Sequence, residues 1–254
     1  MAIKLHKIKP YYELKSSSAL SNLEKGTLRK MTIFDWLFRF RYSSLPVLVS
    51  LFPSDKPERI KELIDRMEKR NEIRKFALVT GFTKVGYCLT ESGFLYLQQS
   101  QPNRLFTRFF TETATLSASN FVHDLAIQTM VSKFMSEDAS QIGFANEWEC
   151  RKFFENAKGK QPDGIIEKTV DGELWRLAIE VELSPKSGPR LASALESGLE
   201  LIRQKEADAI LYICPTPALG NSIRKKVKDM GLPPKFFQIA VPETLTKMIL
   251  GGKR

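Results

Sequence analysis

The chain has 254 residues, 43% hydrophobic and 27% charged, which is enough for two modest domains with their own cores and argues against overall disorder. Its 39 Lys and Arg against 29 Asp and Glu give a formal net charge of +10, a balance suited to a polyanionic partner. No apolar run reaches membrane-spanning length, and Met1 to Lys7 lack the apolar stretch of a signal peptide, so the expected compartment is the cytoplasm.

The charge is uneven. Residues 1–110 hold 20 Lys and Arg against 10 Asp and Glu, whereas the rest holds 19 of each. A basic first part joined to a neutral second part suggests that the first holds a polyanion and the second acts on it. Cys88, Cys150 and Cys214 are far apart and not in metal-binding spacing, so they are expected to be buried thiols.

Residues 1–30 are basic and serine-rich without a sustained period, and read as a flexible arm. Thr32 is then expected to cap a helix through Phe40, with Ile33, Trp36, Leu37 and Phe40 facing a core. Leu45 to Phe52 gives a short second helix with Pro46 in its first turn, and Lys56 to Arg70 a strong third one whose apolar stripe is Ile60, Leu63, Ile64 and Met67. Residues 73–80 and 84–89 then form a hairpin with a basic tip, and Leu89-Thr90-Glu91-Ser92-Gly93 opens a capped helix.

Three helices and a two-stranded wing are similar to winged helix-turn-helix domains. That resemblance implies a third helix in the major groove of DNA, with the wing on neighbouring backbone. Arg59, Arg66, Lys69, Arg70, Arg74, Lys75 and Lys84 are the DNA-binding residues it implies. The plainer alternatives are a solvated charged face or a protein-docking module.

Gln98 to Asn103 is a polar boundary, and 101–116 a basic aromatic linker between a winged helix over 31–100 and a second domain over 117–254. The second domain is expected to start with a helix from Ser117 or Ser119 to Met135. This helix carries His123-Asp124, where His123 is either a site residue or a histidine bonded to backbone. Glu147 to Arg151 is read as a strand, with a glutamate there as an extra metal ligand or simply a surface residue.

The central stretch is Pro162-Asp163-Gly164-Ile165-Ile166, followed past Asp171-Gly172 by Trp175 to Leu183. Asp-Gly between β-prone runs predicts an antiparallel hairpin. Glu180 and Glu182, two apart, share a face, and folding at Asp171-Gly172 brings Asp163 opposite Glu180. Three carboxylates on one patch repel unless a cation joins them, and hard oxygen donors suit Mg²⁺ or Mn²⁺ better than zinc. The alternative is a solvated acidic strand edge. Beyond it, 190–204 reads as a helix, 209–214 as a buried strand, 221–230 as a basic helix, 236–241 as a strand and 242–250 as a last helix, giving a mixed sheet flanked by helices.

Pro-Asp, a turn and Glu-x-Glu resemble the core of the restriction-endonuclease-like PD-(D/E)xK nucleases, with Glu182 where most members carry lysine. A winged helix ahead of this core, and the His-Asp-Leu helix at His123, are similar to plasmid replication-relaxation proteins and the MOBC family of conjugative relaxases. The resemblance implies an α+β or α/β chain acting as a metal-dependent endonuclease that nicks one strand at a plasmid transfer origin. The metal ligands it implies are Asp163 and Glu180, with Glu182 as a further ligand or a base; with His123 and Lys186 they form its catalytic set, Lys186 either standing in for the missing lysine or lying in a mobile loop. The implied partners are double-stranded DNA and accessory mobilisation or coupling proteins. The competing reading is a non-catalytic plasmid replication or transcription regulator with a degenerate nuclease domain, and a third is a structure-specific repair or transposon-end nuclease.

Overall fold

In the computed structural model the described residues are 5–17, 19–77, 85–101, 118–137, 142–153 and 161–243. They form two compact units. The first is Ile8–Glu137; the second joins Met1–Lys7 to Asp138–Arg254. Both mix helices with sheet.

The first unit runs α1 (Lys9–Ser16), α2 (Asn22–Phe40), β1 (Tyr42–Ser44), α3 (Leu45–Ser50), α4 (Pro57–Lys69), β2 (Ile73–Ala77), β3 (Val85–Leu89), α5 (Glu91–Ser100) and α6 (Ala118–Glu137). Its sheet is antiparallel in the order β1-β3-β2. Ile60, Ile64 and Met67 of α4 are buried as their spacing requires. Thr90 caps α5 by accepting from the Gly93 N–H. Gly93 is obligatory, since a Cβ there would stand 1.9 Å from the Glu72 carbonyl oxygen.

Two expectations fail here. The N-terminal segment is not a free arm: Ile8, Tyr11 and Tyr12 are buried, and the Tyr11 hydroxyl donates to the Met135 carbonyl at 3.0 Å. Helix α2 begins ten residues before Thr32, because Ser21 and Glu24 form a reciprocal capping box, and Thr32 instead donates from mid-helix to the Leu28 carbonyl.

The domain boundary also lies later than the expected 101–116 linker. Gln128 of α6, fully buried, accepts from Trp36 Nε1 at 3.0 Å and Ser43 Oγ at 2.7 Å and donates to the Tyr42 carbonyl at 2.9 Å, which ties α6 to α2 and β1. Divided this way, the first unit holds 19 Lys and Arg against 13 Asp and Glu and the second 20 against 16, so the charge contrast is weaker than the count by residue number implied. The linker and the wing tip, Lys84 included, lie outside the described residues, as does nearly all of the 242–250 helix.

The second unit is a five-stranded sheet in the order β4 (Gly143–Asn146), β5 (Gly164–Val170), β6 (Glu173–Val181), β7 (Ala209–Ile213) and β8 (Phe237–Ala240). The first two pairings are antiparallel and the last two parallel. Parallel pairing needs crossovers, supplied by α8 (Gly188–Arg203) and α9 (Pro217–Asp229). Leu191 and Leu195 of α8 and Leu219 and Ile223 of α9 share a core with Ile165, Ala178 and Ile210 of the sheet. Glu147 to Arg151 is not a strand: it belongs to helix α7 (Glu147–Phe153), opened by reciprocal bonds between Asn146 and Glu149 at 3.0 Å each.

Candidate functional site

Asp171 and Gly172 both take positive φ, 51° and 82°, as a two-residue hairpin turn requires, and this sets the register of β5 on β6. Gly164 pairs with Ile179, so Asp163 falls beside Glu180 at the next position. The Asp163 N–H donates to the Ile179 carbonyl at 2.9 Å, and Asp163 Oδ2 accepts from the Val181 N–H at 2.8 Å. On the other side of β6, Glu180 aligns with Tyr212 of β7. Glu182 continues the same face, its N–H donating to the Ile213 carbonyl at 2.9 Å. These groups thus gather at the carboxyl ends of the parallel strands, where open sheets leave a crevice free of their crossover helices.

All three carboxylates are removed from water: Asp163 is 7%, Glu180 8% and Glu182 5% exposed. Burying like charges together is costly unless cations or hydrogen bonds compensate. Lys186, one turn of chain beyond, ion-pairs with Glu182. Lys186 therefore lies at this strand end with the Glu182 carboxylate as its partner.

Tyr212 is 0% exposed, and its hydroxyl has no hydrogen-bond partner among the described residues. Burial pushes its phenol well above the ordinary tyrosine range, and the negative charges of Glu180, Glu182 and Asp163 push it the same way. The Cys214 thiol is raised to about 11, first by burial and then by Glu182, with Arg224 of α9 acting in the opposite sense. The phenol thus stands among the acids, and the Arg224 guanidinium acts on Cys214.

The donors are oxygens, which suit a hard divalent cation, and a buried polar atom without a partner lies among them. Asp163 and Glu180 are the pair that fits. Among the described residues, no three His, Cys, Asp or Glu side chains stand close enough together to hold a metal, so the fit is one of donor chemistry and placement.

His123 lies on α6 in the first unit, its Nδ1 3.5 Å from Asp124 Oδ1. The Asp124 carboxylate in turn accepts from the Tyr42 hydroxyl. Glu149, the glutamate considered as a further ligand, has Oε2 engaged by the Asn146 N–H.

Arg59, Arg66, Lys69, Arg70, Arg74 and Lys75 are all exposed. They do not form an unopposed basic face. Within α4 the four bases Arg59, Lys61, Arg66 and Lys69 are matched by Glu58, Glu62, Asp65 and Glu68. Arg59 lies 3.6 Å from Asp55, Lys75 pairs with Glu68 and stands 3.9 Å from Asp65, and Arg74 Nε donates to Cys88 Sγ at 3.3 Å.

Sequence reading missed two groups. The signal for Tyr212 is a tyrosine inside the apolar run Ala209 to Cys214, which marks a buried hydroxyl that needs a partner. Arg224 carried no signal beyond its membership of a basic helix. No protein-family model matches the chain, and comparisons with curated proteins and with solved structures return no significant match.

Proposed function

We propose that the protein is a metal-dependent DNA endonuclease, in which a winged-helix unit selects the site and the carboxylate face cuts. The observation that carries the reading is the burial of Asp163, Glu180 and Glu182 on one face at the carboxyl ends of the parallel strands. A sheet with no use for these acids would be more stable without them. The order helix, strand, helix, helix, hairpin and the sheet order β1-β3-β2 support the winged-helix reading of the first unit. The resemblance to MOBC relaxases makes the cut a single-strand nick at a plasmid transfer origin.

Asp163 and Glu180 would hold Mg²⁺ or Mn²⁺, which when bound neutralises charge on a phosphate and makes water a stronger acid. The Val181 N–H fixes Asp163 through Oδ2. Lys186 holds Glu182 and would meet a phosphate that displaces that carboxylate. Tyr212 is fully buried, and water is the nucleophile of this reading. A second reading, a non-catalytic winged-helix regulator, is favoured by the Lys186–Glu182 pair, which already neutralises one acid without a metal.

The test is nicking of supercoiled plasmid carrying the cognate mobilisation region, with Mg²⁺ or Mn²⁺. Wild type is expected to give site-specific open circles, and Asp163→Ala and Glu180→Ala to lose about 100-fold or more in rate. Binding of that DNA without cleavage in either metal leaves the regulator as the better account.

A further inference from the structure

We propose that Tyr212 is a positioning residue of the carboxylate site, its hydroxyl donating a hydrogen bond to Glu180 when a divalent cation is bound. The inference rests on the metal-site reading above and adds the group that orients a ligand.

Tyr212 is fully buried, yet its hydroxyl meets no acceptor among the described residues. A buried hydroxyl left unsatisfied is destabilising, a defect that native cores seldom keep without a use. Phenylalanine would fill the same place among Leu191, Leu195 and Ile210 without that cost. The nearest group by register is Glu180, directly across the parallel pair, with Glu182 on the same face. A carboxylate that turns to grip a cation has a second oxygen to anchor, and a hydroxyl on the adjoining strand is placed to anchor it. Outer-shell donors of this kind fix the orientation of metal ligands and strengthen binding.

The experiment follows thermal unfolding of the full chain in EDTA and across a Mn²⁺ titration, for wild type, Tyr212→Phe and Asp163→Asn. In EDTA, Tyr212→Phe is expected to melt at or above wild type, since it removes only an unsatisfied hydroxyl. Mn²⁺ is expected to raise the melting temperature of wild type, leave Asp163→Asn unmoved, and bind Tyr212→Phe about 10-fold more weakly, the scale of losing a bond to a charged group. Equal Mn²⁺ affinity in wild type and Tyr212→Phe overturns the role of Tyr212 and leaves the metal site standing. A Tyr212→Phe variant less stable than wild type in EDTA also overturns it, by showing that the hydroxyl is already used. No response of wild type to Mn²⁺ removes the metal site, and this proposal with it.

Discussion

Arg29 with Asp55 in the first unit, and Asp163 with Glu180 and Glu182 in the second, are comparably removed from water, but are compensated in different ways. Arg29 grips Asp55 through two parallel bonds of 2.7 and 2.6 Å, with side chains 11% and 12% exposed, and Lys30 meets Glu72 at 2.6 Å. Each charge there is matched where it lies, tying α2 to the turn before α4 and to the residue before β2. In the second unit three acids share a face, and Lys186 pairs with Glu182. Matched burial is what a fold needs to hold together. Acids collected on one face are a cost to the fold, which supports the reading of this face as the proposed functional site.

The contrast predicts opposite signs for removing a charge. Arg29→Ala is expected to destabilise the protein by about 2–3 kcal/mol, because Asp55 is left largely buried, with the exposed Arg59 at 3.6 Å a poor replacement for the fork. Urea unfolding measures it. Arg29→Lys should fall between, keeping the charge and losing the second bond. A loss within 0.5 kcal/mol, the rough level of a surface pair, would place this ion pair outside the structural class.

Glu180→Gln is expected to move stability the other way, by about 1 kcal/mol at neutral pH in the presence of a chelator, since it relieves repulsion among the acids while keeping their shape. Cleavage should be lost in the same variant. Stabilisation with loss of activity is the signature of a functional site. Destabilisation would mean that the Glu180 charge is structural, and the two units would then treat charge alike.

The hairpin and its carboxylate face were legible because their signals are local: Asp171-Gly172 forces the turn, and a period of two then assigns faces without knowledge of the rest. The parallel neighbours were legible only as elements, since nothing in Ala209 to Cys214 says which residue aligns with Glu180, and so the role of Tyr212 stayed hidden. Elsewhere the misreadings came from caps overlooked beside stronger apolar patterns. Ser21 with Glu24 starts α2, and Asn146 with Glu149 starts α7, each visible as a polar residue three before a glutamate. The placement of α6 in the first unit depends on a buried Gln128 whose three partners are far away in sequence, a tertiary preference that no local pattern announces.

The smallest effect tests the exposed side of the first unit, where charge is neither matched in the interior nor collected. Lys75 is 42% exposed and hydrogen-bonded to Glu68, which raises its pKa. A raised lysine pKa means that the pair contributes at neutral pH and loses its contribution as pH rises through the lysine range. With solvent and salt screening the pair, Lys75→Ala is expected to change stability by no more than about 0.5 kcal/mol, and less in 0.5 M salt, roughly where the screening length falls to a few ångström. The same pairing makes Lys75 a poor phosphate contact, so its removal should leave the salt dependence of DNA binding nearly unchanged. Arg66→Ala, on the exposed face of α4, should instead weaken binding and lower the salt slope by about 1, the loss of one phosphate contact. Equal effects from the two variants would mean that Glu68 releases Lys75 to DNA, and that the surface pairs of this unit are as open to recruitment as the acids of the other.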